Sequence, residues 1–222
     1  MTNVKLQMTN DGKLFDIYLA ELIEWNKKFN LTAITGPDEI RKRHFEDSLA
    51  LLSHFSRFTS HCSLIDIGTG AGFPGLPLKI ACPEIKLTLV EATKKKIEFL
   101  KHIVNVLGLE GVEIIWGRAE DIVKDKREQF DLAVARAVAE LRVLVELCLP
   151  FVKVGGLFIA YKGAKAKEEI KAATNAIKIL GGEEPIRRGG SGSEVSLIII
   201  KKVTKTPPKY PRRPGVAKKR PL

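Results

Sequence analysis

Residues 64–80 read LIDIGTGAGFPGLPLKI, an apolar strand running into glycines at positions 68, 70 and 72. Gly68, Gly70 and Gly72 carry no Cβ, so a backbone of this composition can lie directly against a ligand. In an open α/β sheet, ligands bind beyond the carboxyl ends of the strands, where the strand order reverses. A dinucleotide site needs G-x-G-x-x-G with the helix opening inside the motif. Here Phe73 stands where the third glycine belongs. A helix starting at Gly70 would also carry Pro77 in its interior, at a cost of ~3 kcal/mol. A helix starting near Pro74 keeps Pro77 within the first turn, where proline is tolerated. That longer loop cradles pyrophosphate poorly and suits S-adenosylmethionine, which has no phosphate, better. An unliganded strand-to-helix turn is the plain alternative.

The same ligand gives other residues a task. Asp66, two positions before Gly68, can reach a cationic amine directly or through water. Glu91 ends the stretch LTLVEA, where its carboxylate can accept both ribose hydroxyls, although an acid there also suits a nicotinamide dinucleotide. In GRAED, residues 117–121, Ala119 and Glu120 either border an adenine or simply begin a helix. Arg136 closes the apolar strand of FDLAVARAVAEL. Its guanidinium can hold a phosphate, stack on a base or cap the cofactor pocket, roles preferred here over a surface ion pair. Lys162 in YKG ends the next strand, as a substrate-side group or as a solvated strand end. Asn30, His44 and Asp47 fall in helical sequence that would cover the site, with His44 expected chiefly as a structural hydrogen-bonding residue.

The elements that must position these groups change character along the chain. Residues 11–29 place Leu14, Ile17, Tyr18, Leu22, Trp25 and Phe29 on one helical face. A second helix is expected over 38–55, opening at Pro37–Asp38. From residue 63, short Ile-, Val- and Leu-rich strands (SLIDIG, IKLTLVEA, VEIIWG, FDLAVARA, GGLFIAYKG) alternate with helical stretches at 74–81, 93–107, 139–150 and 164–180. That alternation predicts a mostly parallel sheet with helices on both faces. The final pair of strands flanks GGSGS, too short for a crossover helix, so the last strand should run antiparallel. The expected organisation is an N-terminal helical layer over 1–58, a ligand-binding core over 59–203 and a tail over 204–222.

Composition narrows the class further. The chain has 222 residues, 45% hydrophobic and 28% charged, in the range of an ordinary globular protein. No apolar run approaches the roughly 18–20 residues of a membrane span. The polar start, MTNVKLQMTNDGK, has no signal-peptide core, so a cytoplasmic location is expected. Cys62, Cys82 and Cys148 form no CxxC pair and imply neither a metal site nor a disulfide. The net charge is +11, and nine basic residues with no acid lie between Lys201 and Leu222. With its prolines, this tail reads as extended, mobile and suited to RNA phosphate.

In order along the chain stand NLTAI, RHFEDSLAL, LIDIGTGAGFPGLPLKI, VEATKKKIEFL, GRAED, DLAVARAVAEL and YKG. Together they resemble the glucose-inhibited division protein B family, the ribosomal RNA small subunit methyltransferase G proteins. The resemblance implies a class I S-adenosylmethionine-dependent methyltransferase fold, Rossmann-like, with a seven-stranded sheet. It implies methylation of N7 of guanine 527, in the 530 loop of 16S rRNA, leaving S-adenosylhomocysteine. It also implies cofactor contacts at Gly68, Phe73, Ala119, Glu120 and Arg136, with Glu91 as the ribose acceptor of the wider fold. The expected partner is 16S rRNA or the 30S subunit, engaged by a monomer, with no membrane or DNA. Guanine N7 carries an accessible lone pair at neutral pH, so no general base is required, in keeping with a sequence that offers no triad or paired carboxylates. Two rivals are an RNA-binding assembly factor with a vestigial pocket and a nicotinamide-dependent oxidoreductase. The latter lacks a YxxxK pair.

Overall fold

The computed structural model describes residues 4–54, 62–189 and 195–222, with side chains from Gly12 onward. Seven strands form one sheet: β1 (Ser63–Ile67), β2 (Lys86–Glu91), β3 (Val112–Trp116), β4 (Phe130–Arg136), β5 (Val152–Lys162), β6 (Ile186–Gly189) and β7 (Ser196–Lys201). Their order is β3-β2-β1-β4-β5-β7-β6. The pairs among β1 to β5 are parallel, and β7 runs antiparallel to both neighbours, as the short GGSGS link requires. Residues 190–194 of that link, and the boundary expected at 58/59, lie outside the described residues.

Period-two alternation divides the strands between two apolar cores. Leu132 and Val134 of β4 join Leu64, Leu87 and Leu89 beneath one helical layer. Ala133 and Ala135 join Ile65, Ile67 and Val90 on the opposite face. The first face is covered by α1 (Val4–Lys28), α4 (Gly75–Ala81) and α5 (Lys94–Val106). The second is covered by α6 (Ala119–Lys126), α7 (Leu141–Cys148) and α8 (Ala166–Ile179). Strands buried on both faces explain why their sequences are nearly continuous apolar runs.

Helix α1 buries Phe15, Tyr18, Leu19 and Leu22, so its inward face lies about one position from the stripe expected. Leu14, Ile17, Trp25 and Phe29 are packed at its edges. The single helix expected over 38–55 is instead a series of short pieces. These are α2 (Pro37–Ile40), a π-turn (Arg41–Glu46), α3 (Asp47–Leu49) and a 3₁₀ turn (Ala50–Ser53). The π-turn presents main-chain carbonyls of Arg43 and His44 to Arg136. Widened turns of this kind concentrate at functional sites.

The tail corrects the expectation of a mobile extension. Tyr210 and Ala217 are buried, and a short helix α9 (Val216–Lys219) follows. Lys202 is fully buried, pairing with Glu128 at 2.8 Å and donating to Leu149 O. Arg212 grips Glu146, whose side chain is 0% exposed. Arg127 donates to the carbonyls of Thr206 and Tyr210. Acids and arginines far away in sequence therefore fix the segment, which is why its composition alone suggested a loose strand.

Candidate functional site

The strand order reverses between β1 and β4, and a cleft of about 310 Å³ opens there along the carboxyl ends of the strands. Ile67 and Gly68 form its floor, Val90–Thr93 and Lys96 one wall, Gly117–Glu120 one end, and Ala137, Val138 and Leu147 the side beyond β4. Gly68 is left-handed at φ 68°, and a Cβ there would lie 2.7 Å from Val138. Gly72 is left-handed as well, and a Cβ there would lie 2.6 Å from the Tyr18 hydroxyl. Both positions therefore demand glycine twice over.

Two carboxylates hold the loop, and they face different ways. Glu91 accepts from Gly70 N at 3.0 Å through one oxygen and from Thr93 N at 2.8 Å through the other. It also lines the cleft. A carboxylate has about four acceptor sites, so two remain for ligand hydroxyls. Asp66 is completely buried, accepting from Thr69 Oγ1 at 2.6 Å and Gly75 N at 2.8 Å through Oδ2. Among the described residues its Oδ1 has no hydrogen-bond partner. Burial pushes its carboxyl up to about 6. Asp66, expected to reach an amine directly or through water, braces the turn from behind and is not among the residues lining the cleft.

Phe73 and Arg136 likewise face the helical layer instead of the cleft. The Phe73 ring stacks between Tyr18 and His44, with centroids 5.3 and 4.5 Å away. The Arg136 guanidinium lies over the same ring at 5.0 Å. It donates to Arg43 O at 3.0 Å, Ser48 Oγ at 3.2 Å and His44 Nδ1 at 3.1 Å. Because arginine is only a donor, Nδ1 must accept, so His44 is neutral and carries its proton on Nε2. That proton is donated to Thr32 Oγ1 at 2.8 Å. Burial, then the Arg136 charge, pushes the imidazole down to about 4. His44 is thus the structural residue anticipated, and Arg136 welds β4 to the N-terminal layer. Tyr18 donates to Ala71 O at 2.5 Å and Tyr161 to Ser48 O at 2.8 Å, closing the same seam.

The remaining candidates separate. Lys162 is buried and pairs with Glu169 at 2.6 Å while donating to Ala139 O at 2.5 Å. Glu169 in turn accepts from Leu141 N at 2.7 Å. Lys162 therefore fixes the loop carrying Val138 and is neither a solvated strand end nor a free substrate group. Asn30 is exposed and, among the described residues, makes no side-chain hydrogen bond. Asn26, which sequence reasoning missed, accepts from Leu31 N and Thr32 N and donates to Thr32 O. Asp47 is half-buried, and burial raises its carboxyl. Ala119 and Glu120 line the cleft at the start of α6, a helix the sequence reading did not include among its crossovers. Lys96, Arg118 and Val138 also line it and were not anticipated; the KKK run after Glu91 was the available signal.

Comparison with known proteins agrees with this geometry. The family model for rRNA small subunit methyltransferase G (GidB) matches residues 11–191. The chain belongs to this family. A ribosomal RNA small subunit methyltransferase G of Pelotomaculum thermopropionicum is 53% identical over 214 residues, covering 94% of this chain and 89% of that protein. One of Alkaliphilus metalliredigens is 50% identical over 207 residues, covering 90% and 86%. A solved S-adenosylmethionine-dependent methyltransferase of Aquifex aeolicus superposes with a TM-score of 0.57 at 17% identity, over 74% of this chain and 93% of that one. An rRNA methylase of Streptococcus thermophilus gives 0.51 at 14%, over 65% and 89%. The fold is therefore the class I methyltransferase fold, and the family is one of ribosomal RNA small subunit methyltransferases. Among the described residues no helix is long and apolar enough to cross a membrane.

Proposed function

We propose that this protein methylates N7 of one guanine of bacterial 16S rRNA, guanine 527 in the 530 loop, with S-adenosylmethionine held in the β1–β4 cleft. The observation that carries the cofactor site is Glu91. Its carboxylate is fixed by Gly70 and Thr93, lines the cleft, and has acceptor capacity left for ligand hydroxyls. Gly68, Gly70 and Gly72 supply bare backbone beside it, and Ala119 and Glu120 stand at the end suited to adenine. Pockets of some 300–1,000 Å³ are typical of small-ligand sites, and the cleft falls within that range.

When bound, the donor supplies an activated methyl group on a sulfonium whose departing thioether is neutral. Guanine N7 offers an unprotonated lone pair and loses no proton on methylation. The chain's own task is therefore alignment. Arg136, Phe73 and His44 make the wall of the crevice rigid from the N-terminal side. Lys162 and Glu169 hold the Val138 loop over Gly68 from the other. The target base must leave its stack to present N7 to this crevice. Lys96 and Arg118 place positive charge at the mouth, where RNA phosphates add affinity without reading sequence.

The test is to incubate the protein with methyl-labelled S-adenosylmethionine and either 30S subunits or naked 16S rRNA, then digest the RNA to nucleosides. The expected product is a single 7-methylguanosine per 16S rRNA. Tight RNA binding with no label transferred would instead favour an assembly factor with a vestigial pocket.

A further inference from the structure

The most exposed large apolar side chain among the described residues is Trp116, 61% accessible at the carboxyl end of β3. Tryptophan is highly buried on average; a lone exposed indole is by itself ordinary, and its surroundings decide what it can do. Three observations describe those surroundings. Trp116 pairs across the sheet with Glu91, and Gly117 and Arg118, which follow it, line the cleft. The indole therefore sits at the carboxyl end of β3, next to the end of the cleft formed by Gly117–Glu120. Its Nε1 donates to Ala92 O at 3.0 Å, so the ring is held in place while most of its surface stays open. Among the described residues, the side chains of Lys94, Lys96 and Arg118, which lie close to Ala92 and Trp116 in sequence, have no ion pair or hydrogen bond. An immobilised aromatic face beside unpaired cations is complementary to single-stranded nucleic acid, whose bases stack on such faces while phosphates meet the charges.

We propose that Trp116 is a stacking platform for an unstacked base of the rRNA substrate. The inference rests on the rRNA methyltransferase reading. The same polar anchor that fixes the ring lowers the entropy lost when a base stacks upon it. The neighbouring cations follow the backbone, so the platform reads the opened shape of the loop instead of its sequence.

The chain holds only two tryptophans, Trp25 and Trp116. In a Trp25→Phe background, emission therefore reports Trp116 alone. Titration with a single-stranded oligoadenylate should quench that emission saturably, at lower affinity as salt rises. In turnover with 30S subunits, Trp116→Ala should raise KM for the RNA substrate by about tenfold with kcat unchanged. Trp116→Phe should restore most of the loss, and S-adenosylmethionine affinity should stay at the wild-type level in both variants. Unquenched emission with an unchanged KM would overturn the proposal. So would a drop in cofactor affinity, which would assign the indole to the cleft, or a shift in oligomeric state, which would assign it to a protein interface. Quenching in a protein that labels no rRNA would sink the methyltransferase reading while leaving the platform in place.

Discussion

Removing the Arg212 side chain should loosen the packing around α7, because it leaves a buried carboxylate without its charged partner. Glu146 is 0% exposed on α7, and its carboxylate is served by Arg212 N at 2.8 Å, Nε at 2.8 Å and Nη2 at 2.5 Å. Arg212→Ala keeps only the backbone donor. Breaking one side of a buried pair typically costs about 3–5 kcal/mol. Arg212 is itself 25% exposed, and some water will enter, so about 3 kcal/mol is expected. At roughly 2–4 °C per kcal/mol for a chain of this size, the thermal midpoint should fall by about 6–12 °C. The assay is thermal and urea unfolding of Arg212→Ala beside Arg212→Leu/Glu146→Leu. The double variant leaves no unpaired charge and should recover at least half of the loss. If Arg212→Ala stays within about 0.5 kcal/mol of wild type, as substitutions at open surface sites do, the account of the tail as a packed strap is wrong.

Other outcomes follow from the same geometry. Glu91→Ala should weaken S-adenosylmethionine binding by at least tenfold in calorimetry, since hydrogen bonds to a charged group contribute ~1.5–3 kcal/mol each; rRNA affinity should change little. His44 is buried neutral and held down to about 4, against an unfolded value near 6.5. As pH falls through that interval the unfolded chain binds more protons, so His44 makes the folded state progressively less favourable. The stability difference between wild type and His44→Gln, measured by urea unfolding, should therefore move against wild type from about pH 6.5 to about pH 4; a flat difference would contradict the neutral assignment. Tyr18→Phe removes the hydroxyl donated to Ala71 O. It should raise the cofactor Kd about five- to tenfold with a smaller effect on the melting point, because the carbonyl left unpaired belongs to the glycine loop.

Much of this arrangement was legible because it depends on local chemistry. Glycines at alternate positions, a proline that cannot sit inside a helix, and acids ending two strands all signal a ligand at strand ends. The strand and helix alternation likewise carries the parallel sheet, and GGSGS carries its antiparallel end. What composition could not reveal depends on distant partners. Lys202 and Arg212 looked like free RNA-binding charges because Glu128 and Glu146 lie more than sixty residues away. Asp66 looked aimed at the ligand because sequence places it before Gly68, whereas Thr69 and Gly75 turn its carboxylate inward. Arg136 was legible as important, but its destination depends on a π-turn that the pattern RKRHFE does not announce. Asn26 was passed over for Asn30 because both sit near a helix end, and only the path of the following loop distinguishes them.

The donor's position along the strand ends is tested most directly by crystals grown with S-adenosylhomocysteine. The account predicts density in the β1–β4 cleft, with both ribose hydroxyls on the Glu91 carboxylate and the adenine beside Ala119 and Glu120. Density elsewhere, or a ribose that leaves Glu91 untouched, would contradict it.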